Sequence, residues 1–329
     1  MYPYHKGKPV KIRILSAADV NAALPMSKAI AAMRRAFGQL SAGETNAPLR
    51  ARLAAEKGVT LLMPAYLKQS REMGVKIVSV YGDNPSLGLP VVNAAVLVLD
   101  PQTGLPLALL EGNSLTAIRT GAGGGLAADL LARQNATTVG LFGAGAQARA
   151  QLRALMAVRN IAQVYLISRS RQSAEKLAAE IAVWPNAPAV TLAKSPRQAV
   201  KNADVVITAT TSAAPVFNGA DLKPGTHITG VGSFTPQMQE VGAAAVLRAK
   251  VVVDSREACL AEAGDIIIPN APIHAELGEI INGQKPGRQS AEEITFFKSV
   301  GVAAQDAATA AAALAEAERL ELGTVVDLG

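Results

Sequence analysis

A glycine-rich turn near the middle of the chain constrains the fold more than any other feature. The run Gly143-Ala144-Gly145-Ala146-Gln147-Ala148 has the pattern G-x-G-x-x-A; it follows the apolar segment Thr138–Phe142 and opens a segment with helical spacing. A second apolar segment, Gln163–Ile167, comes about twenty residues after the turn. This order of strand, glycine turn, helix and strand predicts a Rossmann-type unit that binds a dinucleotide.

The turn itself supplies the first candidate ligand residues. Gly143 allows a tight turn, Gly145 lets a pyrophosphate approach the backbone, and Ala148 permits close packing of helix on sheet. The N-terminus of the helix offers unpaired N–H groups and a favourable dipole to phosphates, which adds Ala146 and Gln147 to the candidates. The alternative is a tight strand-to-helix turn that binds no ligand.

The end of the second strand indicates which dinucleotide is bound. An Asp or Glu there binds the ribose 2′-hydroxyl of NAD, whereas arginine suits the 2′-phosphate of NADP. This chain has Ser168, Arg169, Ser170 and Arg171 at that point, and no acid. The sequence therefore predicts a preference for NADPH, with NADH as the second choice. The alternative is that both arginines are solvated loop residues.

The apolar patterning changes near Gly112. Before it, short apolar runs alternate with Gly, Pro and Asn, which predicts antiparallel strands over 59–63, 75–80, 91–99 and 105–110. Residues 101–104 indicate a hairpin turn between the last two of these. After Gly112, strands and helices alternate, which predicts a parallel sheet with helices on both faces. Thr208 and Thr210 follow one of those strands, where such sheets bind ligands.

Capping patterns place several helices. Ser16 is a candidate cap, and helical spacing covers residues 26–40. The pattern Ser195–Gln198 is a capping box. A second capping box, Ser290–Glu293, predicts a helix that runs through Phe296 and Phe297 towards Gly301. Residues 302–319 predict an Ala-rich helix and residues 324–328 a strand.

Composition excludes several classes of protein. Half of the 329 residues are hydrophobic, and the single cysteine, Cys259, excludes a disulfide framework and a multi-cysteine zinc site. The three histidines lack metal-ligand spacing, so no metal site is predicted. The net charge of +6 comes from scattered basic residues among few aromatics, which argues against nucleic-acid binding. With no signal sequence or membrane span in its pattern, the chain is predicted to be soluble and cytoplasmic.

Motifs in a fixed order along the chain resemble the ornithine cyclodeaminase/μ-crystallin family. They are Pro48-Leu49-Arg50, Met63-Pro64-Ala65-Tyr66, Gly74-Val75-Lys76, Leu115-Thr116-Ala117-Ile118-Arg119-Thr120, the turn Gly143–Ala148, Val231-Gly232-Ser233, Val253-Asp254-Ser255 and Glu262-Ala263-Gly264-Asp265. The resemblance implies α/β architecture with a Rossmann domain (117–302) inserted in a discontinuous α+β substrate and dimerisation domain (1–116 and 303–329). It also implies a homodimer that acts on a small amino or imino acid with a nicotinamide.

The same resemblance implies roles for particular residues. Arg50 and Lys76 would meet the substrate, and Arg119 would lie near both substrate and nicotinamide. Its motifs add further cofactor candidates, namely Thr120, Gly230, Val231 and Gly232. Arginine gives a carboxylate two parallel hydrogen bonds, and a desolvated lysine is a plausible proton donor to an imine nitrogen. Arg52 is a rival of Arg50 for the same role. For these basic residues, the alternatives to a functional role are salt bridges at the sheet edge or side chains that extend their charged ends to solvent. Glu262 and Asp265 either point into a cleft or form a solvated helix end.

One departure from the family decides between its reactions. Ornithine cyclodeaminases carry a catalytic aspartate two residues after the V-G of the Val231 motif, and this chain has Phe234 there. A phenyl ring cannot accept a proton, so cyclodeamination is disfavoured. We therefore predict an NAD(P)H-dependent reductase of cyclic imino acids such as Δ1-pyrroline-2-carboxylate or Δ1-piperideine-2-carboxylate, giving the L-amino acid. The alternatives are reductive amination of a 2-oxo acid by an alanine-dehydrogenase-like enzyme, then cyclodeamination, then non-catalytic binding of NADPH or a ligand.

Overall fold

The computed structural model describes residues 10–329, which form two compact units. The first comprises residues 10–25, 44–116 and 303–329, and the second comprises 26–43 and 117–302. Residues 26–43, assigned to the first domain from the sequence, group instead with the second unit. Their helix packs there because Phe37 meets Phe297 edge to face, with 6.4 Å between ring centroids.

Strands and helices occur in the following order in the described residues. The strands are β1 (Lys11–Leu15), β2 (Thr45–Asn46), β3 (Ala51–Ala55), β4 (Gly58–Leu67), β5 (Glu72–Val80), β6 (Val92–Leu99), β7 (Pro106–Glu111), β8 (Thr138–Phe142), β9 (Gln163–Ile167), β10 (Ala189–Leu192), β11 (Val205–Thr208), β12 (His227–Gly230), β13 (Lys250–Val253), β14 (Ala275–Glu276), β15 (Thr295–Lys298) and β16 (Thr324–Asp327). The helices are α1 (Ala17–Ala23), α2 (Met26–Ser41), α3 (Gly112–Leu131), α4 (Ala146–Met156), α5 (Arg171–Ile181), α6 (Pro196–Val200), α7 (Ala243–Val246), α8 (Arg256–Glu262), α9 (Gly264–Ile267), α10 (Leu277–Ile281) and α11 (Ala303–Arg319). None of these helices is long and apolar enough to cross a membrane.

The first unit is built on one mixed sheet. Its strand order is β16-β1-β7-β6-β5-β4-β2, with β3 also paired to β4. The pairs from β4 to β7 are antiparallel, as predicted, and helix α11 lies against β4 and β5. Strand β16 pairs with β1, so the predicted strand at 324–328 returns to this unit.

The second unit contains an eight-stranded sheet in the order β10-β9-β8-β11-β12-β15-β13-β14, and every neighbouring pair is parallel. Alternate strand residues enter two separate apolar clusters, as Val205 and Val206 illustrate. Neighbouring residues of a strand point to opposite faces, so the sheet is covered on both sides. This is the doubly wound arrangement that the sequence predicts.

One predicted helix is wrong. Ser290 does accept a hydrogen bond from the N–H of Glu293, at 3.2 Å, but residues 295–298 form strand β15 and not a helix. All four residues are buried, and the strand lies between β12 and β13, where its backbone groups complete the parallel ladder. Local capping was outweighed by burial of two phenylalanines in the centre of the sheet.

Helix α3 was not predicted, because four glycines at 121 and 123–125 disfavour a helix by roughly 1 kcal/mol each. Close packing on α4 explains the three at 121, 124 and 125. A Cβ at Gly121 would lie 2.6 Å from the carbonyl oxygen of Ala150, and one at Gly125 would lie 2.8 Å from Cβ of Ala154. The glycines therefore let the two helices approach at backbone distance.

Candidate active site

The turn after β8 has the backbone geometry that its glycines require. Gly143 has φ +107°, and a Cβ there would collide with the carbonyl oxygen of Ala209. Any other residue would strain the turn and displace the neighbouring strand end. The Gly143 N–H donates to the carbonyl oxygen of Ile167 at 2.9 Å, so the turn is fixed between β9 and β11.

Helix α4 begins at this turn without a side-chain cap. Gly145 occupies the N-cap position, no side chain caps the helix there, and an added Cβ at Gly145 would have nothing within 4 Å. Gly145 and Ala146 are exposed and Gln147 is half-buried. Open space in front of unpaired helix N–H groups fits an anionic group such as a pyrophosphate. The residues present therefore fit a dinucleotide.

A cleft of about 530 Å³ lies at the carboxyl ends of β8, β9 and β11. The predicted cofactor residues that line it are Gly143, Gly145, Ser168, Arg169, Ser170 and Thr210. The cleft is also lined by Ser173, Thr211 and Ser212, which no sequence motif indicated. Ala146, Gln147, Arg171, Thr208, Arg119, Thr120, Gly230, Val231 and Gly232 are not part of its lining.

Three polar residues that follow β9 have different surroundings. Ser170 caps helix α5 by accepting from the N–H of Ser173 at 3.2 Å. Arg171 donates to Glu175 at 2.8 Å in an exposed pair on the same helix. Arg169 is exposed and lines the cleft, which makes it the better placed of the two arginines for a 2′-phosphate.

The predicted residues after β11 and β12 converge on a buried carboxylate, Glu240, that sequence reasoning missed. Thr208 and Thr210 donate their hydroxyls to it, and the N–H of Gly232 donates at 2.6 Å. Burial raises the pKa of Glu240, and the nearby Lys298 ammonium opposes that shift. Gly230 lies inside the sheet, where a Cβ would meet the Phe296 ring at 3.0 Å, and Val231 is half-buried.

Arg119 lies on α3, and its guanidinium is buried against the turn after β15. Gly301 has φ +82°, a backbone conformation that favours glycine, and a Cβ there would lie 2.5 Å from Nη1 of Arg119. The N–H of Gly301 donates to Oδ2 of Asp254 at 2.7 Å, as does the hydroxyl of Ser299 at 2.7 Å. Asp254 thus fixes the turn against which Arg119 packs. The carbonyl of Thr120 accepts from Gln151 at 2.8 Å.

In the first unit, Lys76 forms a buried ion pair that the sequence did not reveal. Its ammonium lies 2.8 Å from Oδ2 of Asp306, on α11, and both side chains are at most 2% exposed. Lys76 shares its sheet face with its partners in the neighbouring strands, Met63 and Val96, which are also buried. The only signal for Asp306 was an acid in the first turn of an Ala-rich helix, which a solvated helix end explains equally well.

Arg50 and its rival Arg52 lie in different environments. Arg50 is half-buried immediately before β3, whereas Arg52 is exposed on that strand, opposite Leu61 of β4. The greater burial favours Arg50 over Arg52 as the ligand of a substrate carboxylate.

Residues 10–319 match the model of the ornithine cyclodeaminase/mu-crystallin family. The chain belongs to that family. A Delta(1)-pyrroline-2-carboxylate reductase of Bacillus cereus is 42% identical over 303 residues, which cover 89% of this chain and 93% of the reductase. The structure of Thermococcus litoralis Delta(1)-pyrroline-2-carboxylate reductase in complex with NADH and L-proline has a TM-score of 0.91 and 41% identity, covering 95% of this chain and 99% of that one.

A second solved structure within the family, an archaeal alanine dehydrogenase dimer with bound NAD, has a TM-score of 0.90. It is 33% identical to this chain and covers 97% of it and 100% of the dehydrogenase. The fold is thus that of the family's nicotinamide-dependent enzymes, and the predicted family and fold class are confirmed.

Several other residues of this family member are structural. Asp265 is neither in the cleft nor at a solvated helix end, because it forms a fully buried ion pair with Lys298 at 2.9 Å. His227 is buried between threonine hydroxyls, and burial lowers its pKa to about 3. Cys259 is buried beside Asp254, and burial raises its pKa. Among residues 10–329, no three His, Cys, Asp or Glu side chains are grouped so that they could hold a metal ion.

Phe234, at the position of the cyclodeaminase aspartate, is 50% exposed. It follows Ser233, whose hydroxyl donates to Asp265 and accepts from Lys298 at 2.7 Å. This hydrogen bonding fixes the backbone at residue 233. The side chain that follows it has no group able to take up a proton.

Proposed function

We propose that this protein is an NAD(P)H-dependent reductase that converts Δ1-pyrroline-2-carboxylate, or the homologous six-membered cyclic imino acid, into the L-amino acid. The observation that carries the proposal is the buried Lys76–Asp306 pair, which keeps an ammonium group away from bulk water. Such a group can supply the single proton that imine reduction needs. The 42% identity to a pyrroline-2-carboxylate reductase supports the same substrate class.

The reaction adds a hydride to the imine carbon and a proton to the imine nitrogen. The nicotinamide supplies the hydride when it is bound. Arg50 and Arg119 orient the substrate carboxylate through paired N–H···O bonds, which fixes the face of the imine that is reduced. Lys76 then gives a proton, directly or through a water it holds, to the nitrogen. Asp306 balances the ammonium charge, so burial of Lys76 is tolerated.

The predicted cofactor preference is NADPH, and it depends on Arg169. A guanidinium at the end of β9, with no acid beside it in residues 168–171, suits a 2′-phosphate. The 2′-hydroxyl of NADH leaves this arginine without an anionic partner. We therefore expect NADH to be the weaker cofactor.

Reductive amination of a 2-oxo acid is the second candidate, and the similarity to the alanine dehydrogenase favours it. It uses the same carboxylate ligands and hydride but requires free ammonia. Cyclodeamination ranks third because Phe234 stands in place of an acid. Simple binding of NADPH or another ligand ranks last, because binding alone does not require Arg50, Lys76 and Arg119 together.

A spectrophotometric assay separates these candidates. We expect purified protein to oxidise NADPH with Δ1-pyrroline-2-carboxylate formed in situ, without added ammonia, and to oxidise NADH more slowly. Turnover with pyruvate and ammonia but not with the imine would identify the protein as an amino-acid dehydrogenase instead. Inactivity in both reactions, with release of ammonia from ornithine, would establish the third candidate instead.

We also propose a homodimer, formed through the open face of the first sheet. Apolar side chains of four strands share that face and are 38–45% exposed: Ile14, Leu62, Ile77, Leu107 and Leu109. A continuous apolar face of this kind is typical of an interaction surface, and the alanine dehydrogenase that this chain resembles is described as a dimer. A second copy presents the same face, as a two-fold interface requires.

If the protein is a homodimer, light scattering after size-exclusion chromatography should give twice the chain mass of 33.9 kDa. Ile77→Glu puts a charge in the centre of the apolar face and should give a monomer. The control is Leu260→Glu, which places the same charge on a residue 57% exposed on α8 and should remain dimeric. A monomeric parent protein would refute the interface.

A further inference from the structure

Glu240 is buried and has no role in the chemistry above, yet it joins the ends of two neighbouring strands of the Rossmann sheet. Its Oε1 accepts from both the N–H and the hydroxyl of Thr210, after β11, at 2.6 Å each. Its Oε2 accepts from the N–H groups of Gly232 at 2.6 Å and Ser233 at 3.1 Å, after β12. One carboxylate therefore sets how far apart these two strand ends lie.

The contact leaves little room for movement. A Cβ at Gly232 would collide both with the carbonyl oxygen of Thr210 and with Oε2 of Glu240. Glu240 is itself anchored, because its N–H donates at 2.7 Å to Asp265, which pairs with Lys298. Glu240 is thus held both through its own backbone N–H and through the groups that donate to its carboxylate.

The donors around Glu240 favour its ionised form, in opposition to burial and to the neighbouring Asp265 carboxylate, which raise its pKa. Three backbone N–H groups point at its two oxygens, and a backbone N–H cannot accept a proton from a carboxyl group. The two carboxylates Glu240 and Asp265 lie near one ammonium, that of Lys298. A neutral side chain at residue 240 would therefore lose both charge and acceptor capacity.

One of the two strand ends that Glu240 joins, that of β11, borders the dinucleotide cleft. Thr210 lines the cleft together with the glycine turn, and the carbonyl of Ala209 packs directly on Gly143. A small displacement of the backbone after β11 would therefore move both Thr210 and the glycine turn, which line the cleft. We propose that Glu240 is a positioning residue for the dinucleotide, holding the ends of β11 and β12 in the arrangement that binds it. The inference rests on the dinucleotide site of the proposed function and not on its imino acid substrate.

The same sheet offers a matched control. Asp204 is also buried and accepts two backbone N–H groups, those of Thr137 at 2.9 Å and Thr138 at 3.0 Å. It lies at the amino ends of β8 and β11, the edge opposite the cleft. Asp204 also pairs with Arg133 and with Lys223, so loss of its charge should destabilise the fold at least as much as loss of the Glu240 charge, without changing the cleft.

The experiment is a calorimetric titration of the full-length protein with NADPH, without substrate, alongside thermal unfolding. In Glu240→Gln the amide nitrogen must face donors of one strand end, so we expect Kd to rise about tenfold. Asp204→Asn should lower the unfolding temperature and leave Kd within about twofold of the parent value. Thr208→Val removes one hydroxyl donor to Glu240 at 3.3 Å with little change in shape, and should raise Kd about threefold.

Unchanged Kd in both Glu240→Gln and Thr208→Val would overturn the inference. So would an equal rise in Asp204→Asn, because the effect would then follow general destabilisation. If Glu240→Gln fails to fold, Thr208→Val decides alone, since its buried side chain keeps its shape. The titration needs no imino acid, so failure of the proposed substrate does not affect it.

Discussion

Replacing Lys76 by alanine should lower kcat for imine reduction by a factor of about 10²–10⁴, the contribution typical of a positioned acid. The dissociation constant for NADPH should stay within about twofold of its parent value, because Lys76 belongs to the first unit and the dinucleotide cleft to the second. Single-turnover kinetics with NADPH and Δ1-pyrroline-2-carboxylate measures the first quantity, and titration without substrate measures the second.

The buried ion pair complicates this experiment, since removing one partner leaves an uncompensated charge that costs about 3–5 kcal/mol. The double variant Lys76→Met, Asp306→Asn avoids that charge and should be folded but equally slow. Lys250→Ala is the matched control, because it removes a largely buried lysine that pairs with Glu293 at 2.7 Å. Equal loss of turnover and NADPH binding in the Lys76 variants would mean that Lys76 is only structural.

Arg169→Asp should reverse the cofactor preference. An aspartate repels the 2′-phosphate of NADPH and accepts from the 2′-hydroxyl of NADH, so kcat/KM should fall for NADPH and rise relative to it for NADH. We expect the ratio of the two constants to change by about 10²-fold, since a close charge-assisted phosphate contact contributes roughly 1.5–3 kcal/mol and repulsion adds to its loss.

Arg171→Asp provides the control for charge at this strand end. It makes the same change two residues away, where the arginine is engaged by Glu175 and does not line the cleft. Its preference ratio should remain within about threefold of the parent value. An unchanged ratio in Arg169→Asp, or an equal change in Arg171→Asp, would refute the specific role of Arg169.

Local patterns correctly predicted the elements for which the local sequence and the tertiary surroundings favour the same secondary structure. The glycine turn, the strands on each side of it and the Ser16 cap depend on neighbours in sequence, and all are present. The strand at 295–298 and the helix at 112–131 could not be predicted in this way. Their residues are determined by distant packing partners, β12 and β13 in one case and α4 in the other.

The residues of the candidate site show the same difference between local signals and distant partners. Motifs pointed to Lys76 and Arg119. They also included Asp254 but gave it no role, and they did not include Asp306, the partner of Lys76. A carboxylate that pairs across more than two hundred residues of chain leaves no mark on local periodicity. Glu240 was overlooked for a different reason. The groups that it joins are near in sequence, but they were visible only as strand ends.

The discontinuous first unit has a consequence for synthesis of the chain on the ribosome. Lys76 emerges long before α11, which carries its counter-ion, and β1 emerges long before its partner β16. Contacts between such distant segments form late, because the intervening loop must close first. The second unit, whose sheet lies wholly within residues 138–298, can form earlier. A nascent chain should therefore acquire its dinucleotide cleft before its Lys76–Asp306 pair, which forms only when α11 has packed on β5.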